Sequence, residues 1–117
     1  MLTVVTRTVN DVTVLDLRGR LVVGDSLMML RGAVRKQISQ GTRRILLNFA
    51  ETDVDSAGLG EILFDYVIVA KQGGELRICS PENTFRNQLE ITKLKEALQV
   101  FSNESDALSS FALAAAA

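Results

Sequence analysis

The run Ile45-Leu46-Leu47-Asn48-Phe49 constrains the fold more than any other stretch of the chain. Its middle is apolar at consecutive positions, so a strand Arg43–Phe49 carries apolar side chains on both faces and must be covered on both. Such strands lie inside parallel sheets flanked by helices. The flanking sequence supplies the helices. Downstream, Ser56 opens a helix at Ala57. In it, Leu59, Ile62, Leu63, Tyr66, Val67 and Ala70 share one stripe spaced to cover a sheet, and Gly73-Gly74 fits a left-handed stop. Phe64 and Ile68 fall beside each other outside that stripe, either buried by a neighbouring helix or forming an apolar patch for a partner. Gly60 permits close backbone approach near the loop. Upstream, Gly24-Asp25-Ser26 starts a helix in which Leu27, Leu30, Val34 and Ile38 recur at helical spacing until Gly41. Met28 and Met29 are read as packing residues of that helix, not as a docking surface.

The remaining segments complete an α/β pattern. Thr3–Val9 and Val12–Arg18 are rich in β-branched residues and are joined by Asn10-Asp11, the signature of a tight hairpin. Arg18-Gly19-Arg20 then leaves the sheet. Glu75–Cys79 is a strand, and Ser80-Pro81 supplies a cap and an N-terminal proline for a helix running to about Glu90. Leu98–Phe101 forms a last short strand, and Glu104–Phe111 a closing helix after Ser102 or Asn103. The order β-β-α-β-α-β-α-β-α predicts a single domain with a mostly parallel mixed sheet. An N-terminal antiparallel hairpin forms its edge, and helices pack against it. At 117 residues there is room for one core. The domain is assigned to residues 1–113, and Ala114–Ala117 is read as a short tail that contributes little.

Composition removes several functions. The net charge of −1, with both signs interspersed, leaves no electrostatic footprint for direct nucleic-acid binding. No apolar run approaches the ~18 residues of a membrane span, and no signal peptide is evident, so a cytoplasmic location is expected. The single cysteine, Cys79, excludes an intramolecular disulfide and a multi-cysteine zinc site, and sits in an apolar strand where a buried inert thiol is expected.

The stretch before the second helix holds the candidate chemistry. An acidic loop, Glu51, Asp53 and Asp55, leads into Ser56, and a serine at a helix start lies at the positive end of the helix dipole. Two readings stand there: Ser56 or Asp55 is a plain helix cap, or Ser56 is a site for a phosphate. The sequence contains no histidine to activate a serine nucleophile, and Val54 stands where a G-x-S-x-G elbow needs glycine. A calcium loop starting at Glu51 would need glycine at Ser56 and glutamate at Ile62. Gly58-Leu59-Gly60 lacks the spacing and lysine of a P-loop. A response-regulator-like phosphoacceptor at Asp53 or Asp55 conflicts with the initial hairpin, because that fold begins strand–helix–strand.

The string Val54–Leu63, VDSAGLGEIL, resembles the D-S-[ST]-G-L-G signature of STAS domains, specifically the bacterial anti-sigma factor antagonists. The hairpin, the Gly-x-Leu at Gly19–Leu21, the Gly-Gly-x-Leu at Gly73–Leu76 and the pattern near Val100–Leu108 follow in the family's order. The resemblance implies a regulatory binding module and not an enzyme. Its partner would be an anti-sigma factor that is also a serine kinase of the histidine-kinase-like ATPase fold. Ser56 would be the phosphorylated serine, with Asp53, Asp55, Ala57, Gly58, Leu59, Gly60 and Phe64 beside it in partner binding. No cofactor or metal is implied; ATP would be the kinase's ligand. The chain departs from the family at Ala57, where a second hydroxyl is usual, and at Val22, where relatives often carry an aspartate near the phosphosite. Asp25 would take that place only in a differently folded loop. The alternative implied by the resemblance is a STAS scaffold without phosphorylation, such as the small soluble subunit of a lipid-transport ATPase.

Overall fold

Strand β3 (Arg44–Val54) lies third in a five-stranded sheet ordered β1-β2-β3-β4-β5. Ile45, Leu46 and Leu47 are all fully buried, so both faces of its middle are covered as the sequence requires. The computed structural model describes residues 1–116, apart from the side chains of Asn83 and of residues 113–116. β1 (Leu2–Val9) runs antiparallel to β2 (Val12–Leu21), with Val9 opposite Val12 and Asn10 at φ 56° in the turn. β3, β4 (Glu75–Cys79) and β5 (Val100–Phe101) follow in parallel. The helices are α1 (Asp25–Ser39), α2 (Ser56–Lys71), α3 (Asn83–Ile91), the four-residue α4 (Leu94–Ala97) and α5 (Glu104–Ala116).

Alternation along the strands sorts the core into two layers. Leu15, Leu17, Ile45, Leu47, Phe49, Leu76 and Ile78 pack against Leu30 and Val34 of α1, Leu59, Ile62 and Val69 of α2, and Phe85 and Leu89 of α3. On the opposite face Val12, Val14, Leu46 and Cys79 lie under Ala107 and Phe111 of α5. Asn103 caps α5 by accepting the Asp106 N–H at 2.8 Å. Arg7 ties that helix start to the hairpin, reaching both Asp16 and Glu104. Cys79 is buried, and burial pushes its thiol up to about 11.

Several expectations give way. Arg18-Gly19-Arg20 stays in the sheet: Gly19 pairs with Leu2 on one side and Thr52 on the other. It has φ 110°, and a Cβ there would strike the Met1 carbonyl oxygen, so this glycine serves close strand approach and not an exit. Glu51 and Asp53 lie in β3, not in a loop. An irregularity in the β2–β3 register lets Thr52 and Val54 point inward while these acids face solvent. Thr52 satisfies its buried hydroxyl by donating to the Leu17 carbonyl at 2.6 Å. α3 starts at Asn83, because Ser80 takes φ 59° and turns the chain before Pro81. α4 went unread. Met28 and Met29 are 60% and 46% exposed, so they are surface residues of α1 and not packing residues. α5 continues through Ala116; Ala117 lies outside the described residues.

Helix α2 is rotated from the expected stripe. Leu59, Ile62 and Val69 are buried, Leu63 and Tyr66 half-buried, and Val67 and Ala70 exposed. The inner positions include two acids, Glu61 and Asp65. Close backbone approach occurs at Gly58, where a Cβ would strike the Leu21 carbonyl oxygen, and not at Gly60, which has open space around it.

Candidate functional site

The carboxyl ends of β2 and β3 meet the start of α2 on one rim of the sheet, where open α/β sheets place their ligand sites. Asp55 organises that rim. Its Oδ1 accepts the Gly58 N–H at 2.8 Å and caps α2, while its Oδ2 accepts the Val23 N–H at 3.1 Å from the loop after β2. Its own N–H donates to the Leu21 carbonyl at 3.3 Å. The donors from Gly58 and then Val23 hold the Asp55 carboxyl below its ordinary range, as does the charge of Arg20 to a smaller degree. Of the two candidate caps, Asp55 is therefore the one that caps.

Ser56 is thereby left as the first residue of α2, exposed to solvent. Gly60, Phe64 and Val67 follow at helical spacing on the same exposed side. Phe64 is 41% exposed, and the Arg31 guanidinium of α1 lies 4.1 Å from its ring centre. α1 thus flanks Phe64 without burying it. Ile68 is half-buried.

The residues named from the sequence divide by depth. Asp53, Ser56, Gly60 and Phe64 are exposed, Asp55 and Ala57 half-buried, and Gly58 and Leu59 buried. Gly58 and Leu59 serve by seating α2 on the rim, since their side-chain positions face inward. Val22 lines the rim with an apolar side chain. Its N–H donates to Ser26 Oγ at 2.9 Å, and Ser26 Oγ donates to its carbonyl at 2.6 Å, which fixes this loop. Asp25 begins α1 and does not line the cleft beside Ser56.

That cleft, of about 470 Å³, is bounded by Arg20, Asp53, Ser56, Thr84, Phe85 and Gln88, among others. Arg20 sits across the β2–β3 ladder from Asp53. Sequence reasoning missed Arg20, Thr84 and Gln88. Arg20 stands two residues before Val22 near the end of β2, and its strand position is what brings it to this rim. A second cleft of about 440 Å³, between α3, Lys95 and β5, includes none of the signature residues.

The family model described as the STAS domain matches residues 3–107. The chain belongs to the STAS domain family. An anti-sigma F factor antagonist from Paenibacillus polymyxa is 30% identical over 81 residues, covering 64% of this STAS domain's chain and 69% of the relative. An anti-sigma factor antagonist structure from Mycobacterium paratuberculosis superposes with a TM-score of 0.82 at 16% identity, covering 94% of this chain and 93% of that one. The Bacillus cell fate determinant SpoIIAA in its phosphorylated form gives a TM-score of 0.70 at 21% identity, covering 93% and 99%. The five-stranded sheet with its antiparallel β1–β2 edge is thus the STAS fold. No described helix of this STAS domain is long and apolar enough to cross a membrane.

Proposed function

We propose that this STAS domain is a cytoplasmic anti-sigma factor antagonist. It binds an anti-sigma factor that is also a serine kinase of the histidine-kinase-like ATPase fold, and phosphorylation of Ser56 switches that binding off. The observation that carries the reading is the exposed Ser56 at the head of α2, leading an exposed stripe through Gly60, Phe64 and Val67. The name of the Paenibacillus relative supports the class of partner, and the phosphorylated state of the Bacillus neighbour supports the modification. The domain acts by association and performs no chemistry of its own; the kinase supplies ATP and the phosphoryl transfer.

The switch follows from charge. A phosphoryl group adds about −1.5 to −2 charges at Ser56, beside Asp53 and Asp55. Within the free domain the α2 start and Arg20 favour that charge, so the fold survives. A partner closing over it must strip its water, and an unpaired charge at an interface is strongly unfavourable.

The test is a thermal melt and a binding titration against the candidate kinase for wild type, Ser56→Ala, Ser56→Asp and the enzymatically phosphorylated protein. All four should melt alike. The phosphorylated form should bind at least about tenfold more weakly, a difference of ~1.4 kcal/mol, with Ser56→Asp intermediate because it carries less charge. Equal affinity of the phosphorylated protein and Ser56→Ala would reduce Ser56 to a surface residue and remove the switch.

A further inference from the structure

An acid with no counter-ion of its own lies between α1 and α2. Asp65 is fully buried, and among the described residues no donor reaches either oxygen of its carboxyl. One turn earlier on the same helix, Glu61 is also buried. It takes both arms of Arg31, with Nε donating to Oε2 at 3.1 Å and Nη2 to Oε1 at 2.8 Å. The charged groups facing Asp65 are therefore Glu61 on its own helix and Arg31 and Arg35 on α1. Arg31 is engaged by Glu61, and Arg35 is exposed. Beneath α2 lie β3 and β4, which bring Leu47, Leu76 and Ile78 to the same apolar layer.

Two carboxylates one helical turn apart, out of water and sharing one bonded cation, do not both ionise. We propose that Glu61 and Asp65 share one proton at neutral pH. Glu61 keeps both arms of Arg31, Asp65 is a carboxylic acid whose O–H donates to Glu61, and loss of that proton to solvent loosens the α1–α2 seam. The proton supplies the donor that the Asp65 carboxyl otherwise lacks. Burial first, and then Glu61, push the Asp65 carboxyl up to about 8. Because the folded value lies above the unfolded one of about 3.9, the buried acid costs stability progressively as pH rises from ~4, and the loss is complete above about 8. The seam bears Arg31 and Phe64 at the surface, so its protonation state reaches an exposed part of α2. None of this depends on Ser56 being modified.

Two measurements test the proposal. Carboxyl ¹³C NMR of the wild-type protein should show Asp65 with the shift of a protonated acid at pH 6 and a titration midpoint near 8. The urea midpoint of wild type should fall relative to Asp65→Asn between pH 5 and pH 8 and then run parallel to it, since the amide keeps a donor toward Glu61 and cannot ionise. An Asp65 carboxylate already ionised at pH 6, or stability curves of the two proteins that stay parallel from pH 5 to 9, would overturn it. If Asp65→Asn does not fold, the titration of the wild-type carboxyl decides alone.

Discussion

The Asp55 carboxylate accepts the backbone N–H of Gly58 at 2.8 Å, and Ser56, between them in the chain, faces solvent instead. A cap and an exposed hydroxyl thus occupy adjacent positions without competing for the same donor. Asp55→Ala should cost about 0.5–2 kcal/mol, the usual range for a lost helix cap. The second hydrogen bond, to the Val23 N–H, points to the upper part of that range. Ser56→Ala should change stability by no more than ~0.5 kcal/mol. Urea denaturation of both variants checks this; a larger loss for Ser56→Ala would mean that the hydroxyl has a structural role.

The rotation of α2 is testable in the same way. Ile62 is fully buried in the main layer, while Val67 is 48% exposed. Ile62→Ala should cost about 2–5 kcal/mol through lost burial and a residual cavity, and Val67→Ala should stay within ~0.5 kcal/mol. Comparable losses at the two sites would place the inner face of the helix elsewhere.

Acid should weaken the Arg7–Asp16 pair that ties β1 to β2. Arg7 donates from Nε to Asp16 at 2.6 Å and also reaches Glu104. Arg7, and to a smaller degree Asn48, hold the Asp16 carboxyl below its ordinary range. A depressed folded value means that the Asp16 contribution is fully present above the unfolded value of about 3.9 and is lost as pH falls through the folded one. Arg7 is 38% exposed, so solvent screens the pair, and Asp16→Asn should cost only ~1 kcal/mol at pH 7. Urea midpoints taken from pH 7 to pH 3 should show the gap between wild type and variant closing below about pH 4. A gap that stays constant over that range would detach Asp16 from the acid response.

Much of this architecture was legible in the residues. Runs rich in β-branched residues on either side of Asn10-Asp11 dictate a hairpin, since Asn10 tolerates the positive φ that the turn adopts. The doubly apolar Ile45–Leu47 dictates a central strand, because no edge position would bury both of its faces. The Val54–Leu63 string marked the rim where Asp55, Ser56 and Gly58 come together. These are local signals, and local backbone chemistry settles them.

What the sequence left open depended on neighbours distant in the chain. In α2 nine of the twelve positions from Leu59 to Ala70 are apolar, so periodicity alone could not choose the inner face. Glu61 and Asp65 pointed away from the true one, because an acid is normally placed outside. Arg31, thirty residues earlier in α1, makes burial of Glu61 tolerable and turns the helix. Gly19 looked like an exit and is a point of close approach to Met1, a contact that exists only once the hairpin has closed. The sequence by itself determined the order of the five strands and four main helices and which end of the sheet carries Ser56, because spacing, turn residues and caps act within a few residues. Only the tertiary structure decided which face of α2 is buried and which cation stands near Ser56, because burial and charge pairing are set by whatever the fold brings alongside.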